Sequence, residues 1–426
     1  MASTNMMRGS GDVVREVIAA AEPLTKNNIG RYLRGLPFKA KLALRAALHL
    51  PQGSLTIRLP DRRTVRIDGH APGPDGVLIL HNWNLARKAI SGGTIGVAES
   101  YMDGDWESPD VTTFLELFVV NEELSERLAT AGATVKFVSR IRHWFNRNTK
   151  TRAQKNIAAH YDLGNDFYAL WLDPSMTYSS ALYETGANSL ESAQAAKYRA
   201  LAEAAGITRD DHVLEIGCGW GGFAEFAARE IGCRVTGLTI SREQFDFARE
   251  RIRLAGLNDK VTIKFQDYRD ETERYDKVVS IEMFEAVGEE YWETYFAKVR
   301  DVLKPGGKAG LQIITIDEKA FPIYRKQPDF IQRYVFPGGM LPPPSALHDL
   351  GTRHALQLIG ERIFPQDYAR TLSEWRDRFW QAWPQINAMG FDERFKRLWE
   401  FYLYYCEAGF RAEFIDVRQL TFARNG

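Results

Sequence analysis

The sequence predicts an α/β protein in which a doubly wound parallel sheet follows a smaller α+β domain. Three observations carry this. From Asp210 onward, short apolar runs alternate with helical patterns, which is how a parallel sheet covered on both faces reads. Upstream the period is mixed, with a helical stretch, an alternating hairpin and a further apolar run. The length of 426 residues exceeds one ordinary core, so two domains are expected. Their expected bounds are 1–135 for the α+β domain, 136–155 for a basic linker and 156–426 for the sheet domain.

In the first domain, Lys26, Arg31, Arg34, Lys39, Lys41 and Arg45 stand in a stretch with no acid between Glu22 and Asp61. After Pro37 the pattern is helical, with cations on one face. Such a helix suits a membrane surface, and equally a solvated face packed on its own domain. "GSLTIRLPDRRTVRIDG" alternates with period two and predicts a hairpin around "PDRR". "GVLILHNW" predicts another strand. "TIGVAESYMDGDWESPDVTTFLELFVVN" predicts a loop, a turn and a helix capped near Ser108 or Asp110.

The linker carries Lys136, Arg140, Arg142, Arg147, Lys150, Arg152 and Lys155 around Trp144 and Phe145. Basic residues beside an interfacial Trp suit an anionic lipid surface, at about 1 kcal/mol per charge. Nucleic acid would use the same charges, but no nucleic-acid motif accompanies them, and no such partner is expected.

In the sheet domain, "DHVLEIGCG", "CRVTGLTIS", "KVTIKFQD", "YDKVVSIEM" and "KAGLQIITI" predict strands. "GGFAEFAAREIG" predicts a helix stopped by Gly232, "REQFDFARERIRLAG" one stopped by Gly256, and "YWETYFAKVRDVLKPGG" one stopped by its glycines. Further helices are expected after the third strand and near the end. Lys+Arg and Asp+Glu both total 55, so global charge names no partner. Three cysteines at unrelated spacing predict no disulfides, and no metal site is expected. No apolar run reaches a membrane span and no leader pattern is present, so a cytoplasmic protein is expected.

"VLEIGCGWGG" places four glycines within six positions between a strand and a helix. Doubly wound sheets bind ligands there, and glycine lets the backbone approach them. A phosphate-binding loop would need a terminal Lys-Ser/Thr, which is missing. A dinucleotide site would want an acid ending the next strand, which reads "GLTIS". S-adenosylmethionine, with its cationic sulfonium and amino group, suits Glu215 beside the loop. The domain is therefore read as a Rossmann-like S-adenosylmethionine (SAM)-dependent methyltransferase. Glu215 as a structural partner of the loop amides stays open.

"HYDLGNDFYALWLDPSMTYSSALY", "VLEIGCGWGG", "GLTISREQ", "SIEMFEAVG", "LKPGG" and "CEAGFRAEFIDVRQ" occur in one order. That order resembles the cyclopropane-fatty-acyl-phospholipid synthase family and its mycolic-acid-modifying relatives. The resemblance runs from about His160 to the carboxyl end, and "TIGVAESYMDGDW" extends it upstream. It implies cofactor contacts at Tyr178, Ser179, Gly217, Gly219, Thr239, Ile240 and Gln244. The segment Gln266 to Arg269 would border the adenine, with Tyr268 stacking.

The resemblance also implies a bound bicarbonate that takes a proton from the new methyl group during ring closure. Glu285, Tyr368 and the backbone of Ile314 match its ligands. Two positions depart: Ser180 stands where the family has Cys, and Gln312 where it has His. Glu282 stands where ring-forming relatives usually have Gly, and resembles the branch that leaves a methyl group instead. The anion site is thus altered, and bicarbonate is in doubt.

The expected reaction is SAM-dependent transfer of a carbon to a double bond of an unsaturated acyl chain in a membrane phospholipid. The product is either a cyclopropane or a methyl- or methylene-branched chain. Tyr324, Tyr334, Phe336, Trp375, Phe379 and Trp383 are available to line an acyl tunnel or to pack the core. The expected partners are the phospholipid, an anionic membrane surface on the inner face and a second copy of the chain. The alternatives are a small-molecule N- or O-methyltransferase and a catalytically silent lipid-binding homologue.

Overall fold

The strand–helix alternation from Asp210 folds as a seven-stranded sheet. The computed structural model describes residues 17–121, 163–183 and 186–425. The expected linker 136–155 and His160 lie outside the described residues. Across the sheet the order is Leu356–Ile363, Ile415–Arg424, Leu303–Ile316, Tyr275–Ile281, His212–Ile216, Arg234–Thr239, Val261–Phe265. The last five are parallel, and Ile415–Arg424 runs antiparallel to both its neighbours. Of these seven strands His212–Ile216 comes first in the chain, yet it sits inside the sheet. Later strands add on both sides of it, so the order reverses at its carboxyl end. That reversal opens the crevice into which the glycine loop emerges.

The predicted helix stops hold. Gly232 adopts φ 88° and Gly256 φ 68°, conformations that cost glycine nothing. "LKPGG" differs: the chain passes straight into strand Leu303–Ile316, with a register shift between Leu303 and Lys308. Gly306, at φ 76°, supplies that irregularity. The added helices also differ. Only the short turn Tyr268–Asp270 follows the third strand, whereas Phe321–Tyr324, Phe330–Tyr334 and Pro344–Arg353 follow Ile316. Strand Ile415–Arg424 was not anticipated, because buried Gln419 and Thr421 blur its alternation.

Contacts divide the chain into two units, Met1–Arg140 with Trp380–Phe414, and Ile141–Phe379 with Ile415–Gly426. The division falls inside helix Pro365–Ala388. The first unit holds a sheet ordered Glu22–Pro23, Thr64–Asp68, Gln52–Arg58, Ala71–Leu80, Trp106–Glu107. The "PDRR" hairpin is present and antiparallel. Helix Phe38–Ala47 starts directly after Pro37, and Asp110 caps Val111–Val119 by accepting from the Thr113 amide at 2.9 Å. "TIGVAESYM" is not a loop but the second half of Asn84–Met102. Its glycines hide the helix, and Gly96 is required: a Cβ there would lie 2.0 Å from the Lys88 carbonyl oxygen. Helix Glu393–Arg411, expected within 156–426, groups with this unit. Phe401 packs on Tyr101 at 5.6 Å, and Thr112 Oγ1 donates to Glu407 Oε2 at 3.1 Å.

Candidate active site

The glycine loop is pinned to the neighbouring strand, since the amides of Gly217 and Cys218 both donate to the Leu238 carbonyl, at 3.0 and 2.8 Å. Gly217, at φ 81°, tolerates no side chain: a Cβ would lie 2.6 Å from Met283 Cγ. At Gly219 the same construction meets nothing within 4 Å among the described residues. Trp220 Nε1 ties the loop to Asn165 Oδ1 at 2.7 Å. Thr239 Oγ1 donates to Gln244 Oε1 at 2.9 Å, and the Gln266 amide donates to the Thr239 carbonyl at 3.0 Å. Thr239, Ile240, Gln244 and Gln266 are thereby gathered at the strand ends. Tyr268 stands edge-on to Tyr295 at 5.5 Å.

Glu215, buried at the end of the first strand of this sheet, has an Oε2 with no hydrogen-bond partner among the described residues. Burial pushes its carboxyl well above the usual range, and the Lys197 charge offsets this only in part. A buried carboxyl that accepts from the Ala224 backbone and keeps its other oxygen open fits a ligand carrying positive charge, as S-adenosylmethionine does.

A second cluster forms where Tyr275–Ile281 runs out beside Leu303–Ile316. Glu282 has φ 49°, a left-handed conformation that costs a side-chain-bearing residue roughly 1–2 kcal/mol. Its amide donates to the Gln312 carbonyl at 2.8 Å. Its carboxylate accepts three hydrogen bonds. Ser180 N and Gln312 Nε2 donate to Oε1 at 2.8 and 2.7 Å, and Tyr368 OH donates to Oε2 at 2.6 Å. Burial raises the Glu282 pKa, while Lys197 and these three donors lower it. Glu285 Oε1 accepts from the Ile314 amide at 2.5 Å, and among the described residues its Oε2 has no hydrogen-bond partner. Burial, then the neighbouring charge of Glu282, push Glu285 up to about 8.

The structure therefore brings Ser180, Glu282, Glu285, Gln312, Ile314 and Tyr368 together. One expectation needs correcting. The Ser180 hydroxyl does not face the cluster but donates to the Ala181 carbonyl at 2.9 Å; the backbone amide is the donor instead. Ser179 Oγ accepts from Lys197 Nζ at 2.6 Å. Tyr178 stands among Trp375, Tyr168 and Trp171 at 5.3, 5.5 and 5.6 Å, and Tyr368 lies 6.2 Å from Trp375. Tyr168 and Trp171 went unnoticed as wall residues, although "FYALWL" concentrates aromatics. Trp383 belongs to the first unit.

A family model described as mycolic acid cyclopropane synthetase matches residues 148–420. The chain belongs to that family. A solved family structure, the mycolic acid cyclopropane synthase CmaA1 complexed with SAH and CTAB, has a TM-score of 0.60 at 29% identity. It covers 63% of this chain and 98% of that one. A tuberculostearic acid methyltransferase of Mycobacterium tuberculosis is 38% identical, over 91% of each chain. The cyclopropane-fatty-acyl-phospholipid synthase of Escherichia coli is 37% identical, over 86% of this chain and 92% of its own. The second unit thus carries the SAM-dependent methyltransferase fold of a cyclopropane synthase family member, and the chain is a SAM-dependent C-methyltransferase.

Glu215 sets an expectation for cofactor binding. Burial raises the Glu215 carboxyl and a cation settling against it lowers it again, so cofactor binding should release protons. Calorimetry in buffers of different ionisation enthalpy measures this. The Glu215→Gln variant should release correspondingly less and bind more weakly; equal release in both proteins would count against Glu215 as the acid.

Proposed function

We propose that the chain methylates a double-bond carbon of an unsaturated acyl chain in a membrane phospholipid, and that Glu282 is the base that completes the reaction. The observation that carries this is the environment of Glu282. Its carboxylate accepts from Ser180, Gln312 and Tyr368, the positions that the resemblance assigns to a bicarbonate site. The protein's own side chain occupies the place of the small anion. Glu285, un-ionised near pH 7, keeps the cluster from carrying a second negative charge.

When bound, S-adenosylmethionine supplies an electrophilic methyl carbon and leaves the C–S electron pair on sulfur. The alkene π pair forms the new C–C bond, and the adjacent carbon becomes cationic. The faces of Trp171, Tyr178 and Trp375 can stabilise that cation by roughly 0.5–2 kcal/mol each. A hydride moves from the methylated carbon to its cationic neighbour, which places the charge beside the new methyl group. Glu282 then takes a methyl proton, and the C–H pair becomes the π bond of a methylene branch. Glu215, Gly217, Gly219, Thr239, Ile240, Gln244 and Tyr268, with Tyr178 and Ser179, would hold the cofactor. Ring closure is the second reading, favoured by the similarity to the E. coli cyclopropane synthase.

The first unit supplies a lipid-facing surface in this reading. Phe38, 78% exposed, begins a helix flanked by exposed Arg31, Arg34 and Arg45. No described helix is long and apolar enough to cross a membrane, so attachment would be peripheral. Anionic vesicles should bind the protein in a salt-sensitive way, and Phe38→Asp should weaken that binding at least about tenfold. Undiminished binding of Phe38→Asp in a sedimentation assay would remove this surface from the account.

Incubation with methyl-labelled cofactor and unsaturated phospholipid vesicles tests the reaction, with proton NMR of the released acyl chains. Vinylic methylene signals are expected. Upfield ring protons alone would overturn the branched product, and no acyl label would overturn the reaction itself. Glu282→Gly should relax the left-handed backbone and vacate the anion position. Its turnover should fall on the order of 100-fold or more without bicarbonate, then partly recover with it, the product shifting toward the ring.

A further inference from the structure

Helix Leu190–Ala205 presents Leu190, Ala193, Lys197, Leu201 and Ala205 along its buried stripe. A lysine there is anomalous, since a buried ammonium is costly unless paired. Lys197 is fully buried, and among the described residues no other lysine or arginine is. Its Nζ donates to Ser179 Oγ at 2.6 Å and lies 4.6 Å from the Tyr198 ring centroid. Three carboxyls act on it, Glu282 most strongly, then Asp173 and Glu215.

We propose that Lys197 is a positioning residue of the transfer site, the counter-charge that keeps Glu282 a carboxylate and an anchor for the segment that delivers the Ser180 amide to it. The assignment rests on Glu282 acting as the base. Hydrogen-bond geometry carries the anchoring half, and the full burial of the Lys197 charge beside the same segment underlies the other. Lys197 holds the Ser179 hydroxyl, Gln194 Nε2 holds the Ser179 carbonyl at 2.9 Å, and the next amide is the Ser180 donor to Glu282. Gln419 Nε2 bridges the Lys197 carbonyl at 3.2 Å and Gln312 Oε1 at 3.1 Å. That contact sets the Gln312 amide so that its Nε2 faces Glu282.

Lys197 brings one buried positive charge to a region where burial raises Glu282, Glu285 and Glu215 alike. Glu282 is faced by Lys197, Glu285 and Tyr368; Lys197 is faced by Glu282, Asp173, Glu215 and Tyr198. Lys197 is the largest influence that favours the charged form of Glu282. Burial in turn pushes Lys197 down to about 8, which leaves it charged at neutral pH.

The test uses Lys197→Met, which keeps length and removes charge, and Lys197→Gln, which also keeps a donor for Ser179. Removing the cation raises the Glu282 pKa, so the acid limb of the turnover–pH profile should move up by about one unit or more. Turnover at pH 7, measured at saturating cofactor, should fall about tenfold and recover as pH rises. Infrared difference spectra, assigned with Glu282→Gln, should show a protonated Glu282 at pH 7 in the variants and not in the wild type. An unmoved acid limb, or an equal loss at every pH, overturns the proposal. So does a protonated Glu282 in the wild type, a result that needs no folded Lys197 variant. Full turnover in Glu282→Gln would instead sink the base assignment on which the proposal rests.

Discussion

The structure of the site depends on one buried carboxylate and the three donors that hold it. Glu282 sits at a strand end in a left-handed backbone conformation that disfavours any side chain. Its retention there is explained by hydrogen bonds from Ser180, Gln312 and Tyr368, contributed by three separate stretches of the chain. Charge-assisted hydrogen bonds of this kind contribute about 1.5–3 kcal/mol each, enough to exceed the backbone strain. Gln312 suits the same requirement: a side-chain amide donates to a carboxylate without depending on its own protonation.

That arrangement matters because a methylated alkene is a cation in a dry cleft. Such a species needs aromatic surface to stabilise it and one base, correctly placed, to end it. In the proposed reading Tyr168, Trp171, Tyr178 and Trp375, joined by a continuous set of ring contacts, would supply the surface. Water would also end the cation, by adding a hydroxyl, so the burial that raises Glu285 and Glu215 is the counterpart of product control.

Much of this was legible before folding. Glycine punctuates, so the cofactor loop and the stops at Gly232 and Gly256 could be read directly, as could the sheet and its switch point. The helical turns after the kink at Gly93 were hidden because Gly96 in the 94–102 stretch reads as loop, although close packing on Lys88 requires it. Strand Ile415–Arg424 was hidden because its inward residues include polar Gln419 and Thr421. The acids, Gln312 and Tyr368 were found only through the ordered motifs; nothing local in each joins Glu282 to Tyr368 across 86 residues. That Glu282 accepts from the others, and that Ser180 acts through its amide, are facts of three dimensions. Lys197 left a signal that went unused, a cation on the apolar stripe of its helix.

The central claim is that a resident carboxylate has replaced a bound anion. Its most direct test is turnover of the wild-type enzyme on unsaturated phospholipid vesicles in buffer stripped of carbon dioxide, compared with the same buffer containing bicarbonate. The account predicts equal rates in the two. A rate that collapses on stripping and returns with bicarbonate would contradict it.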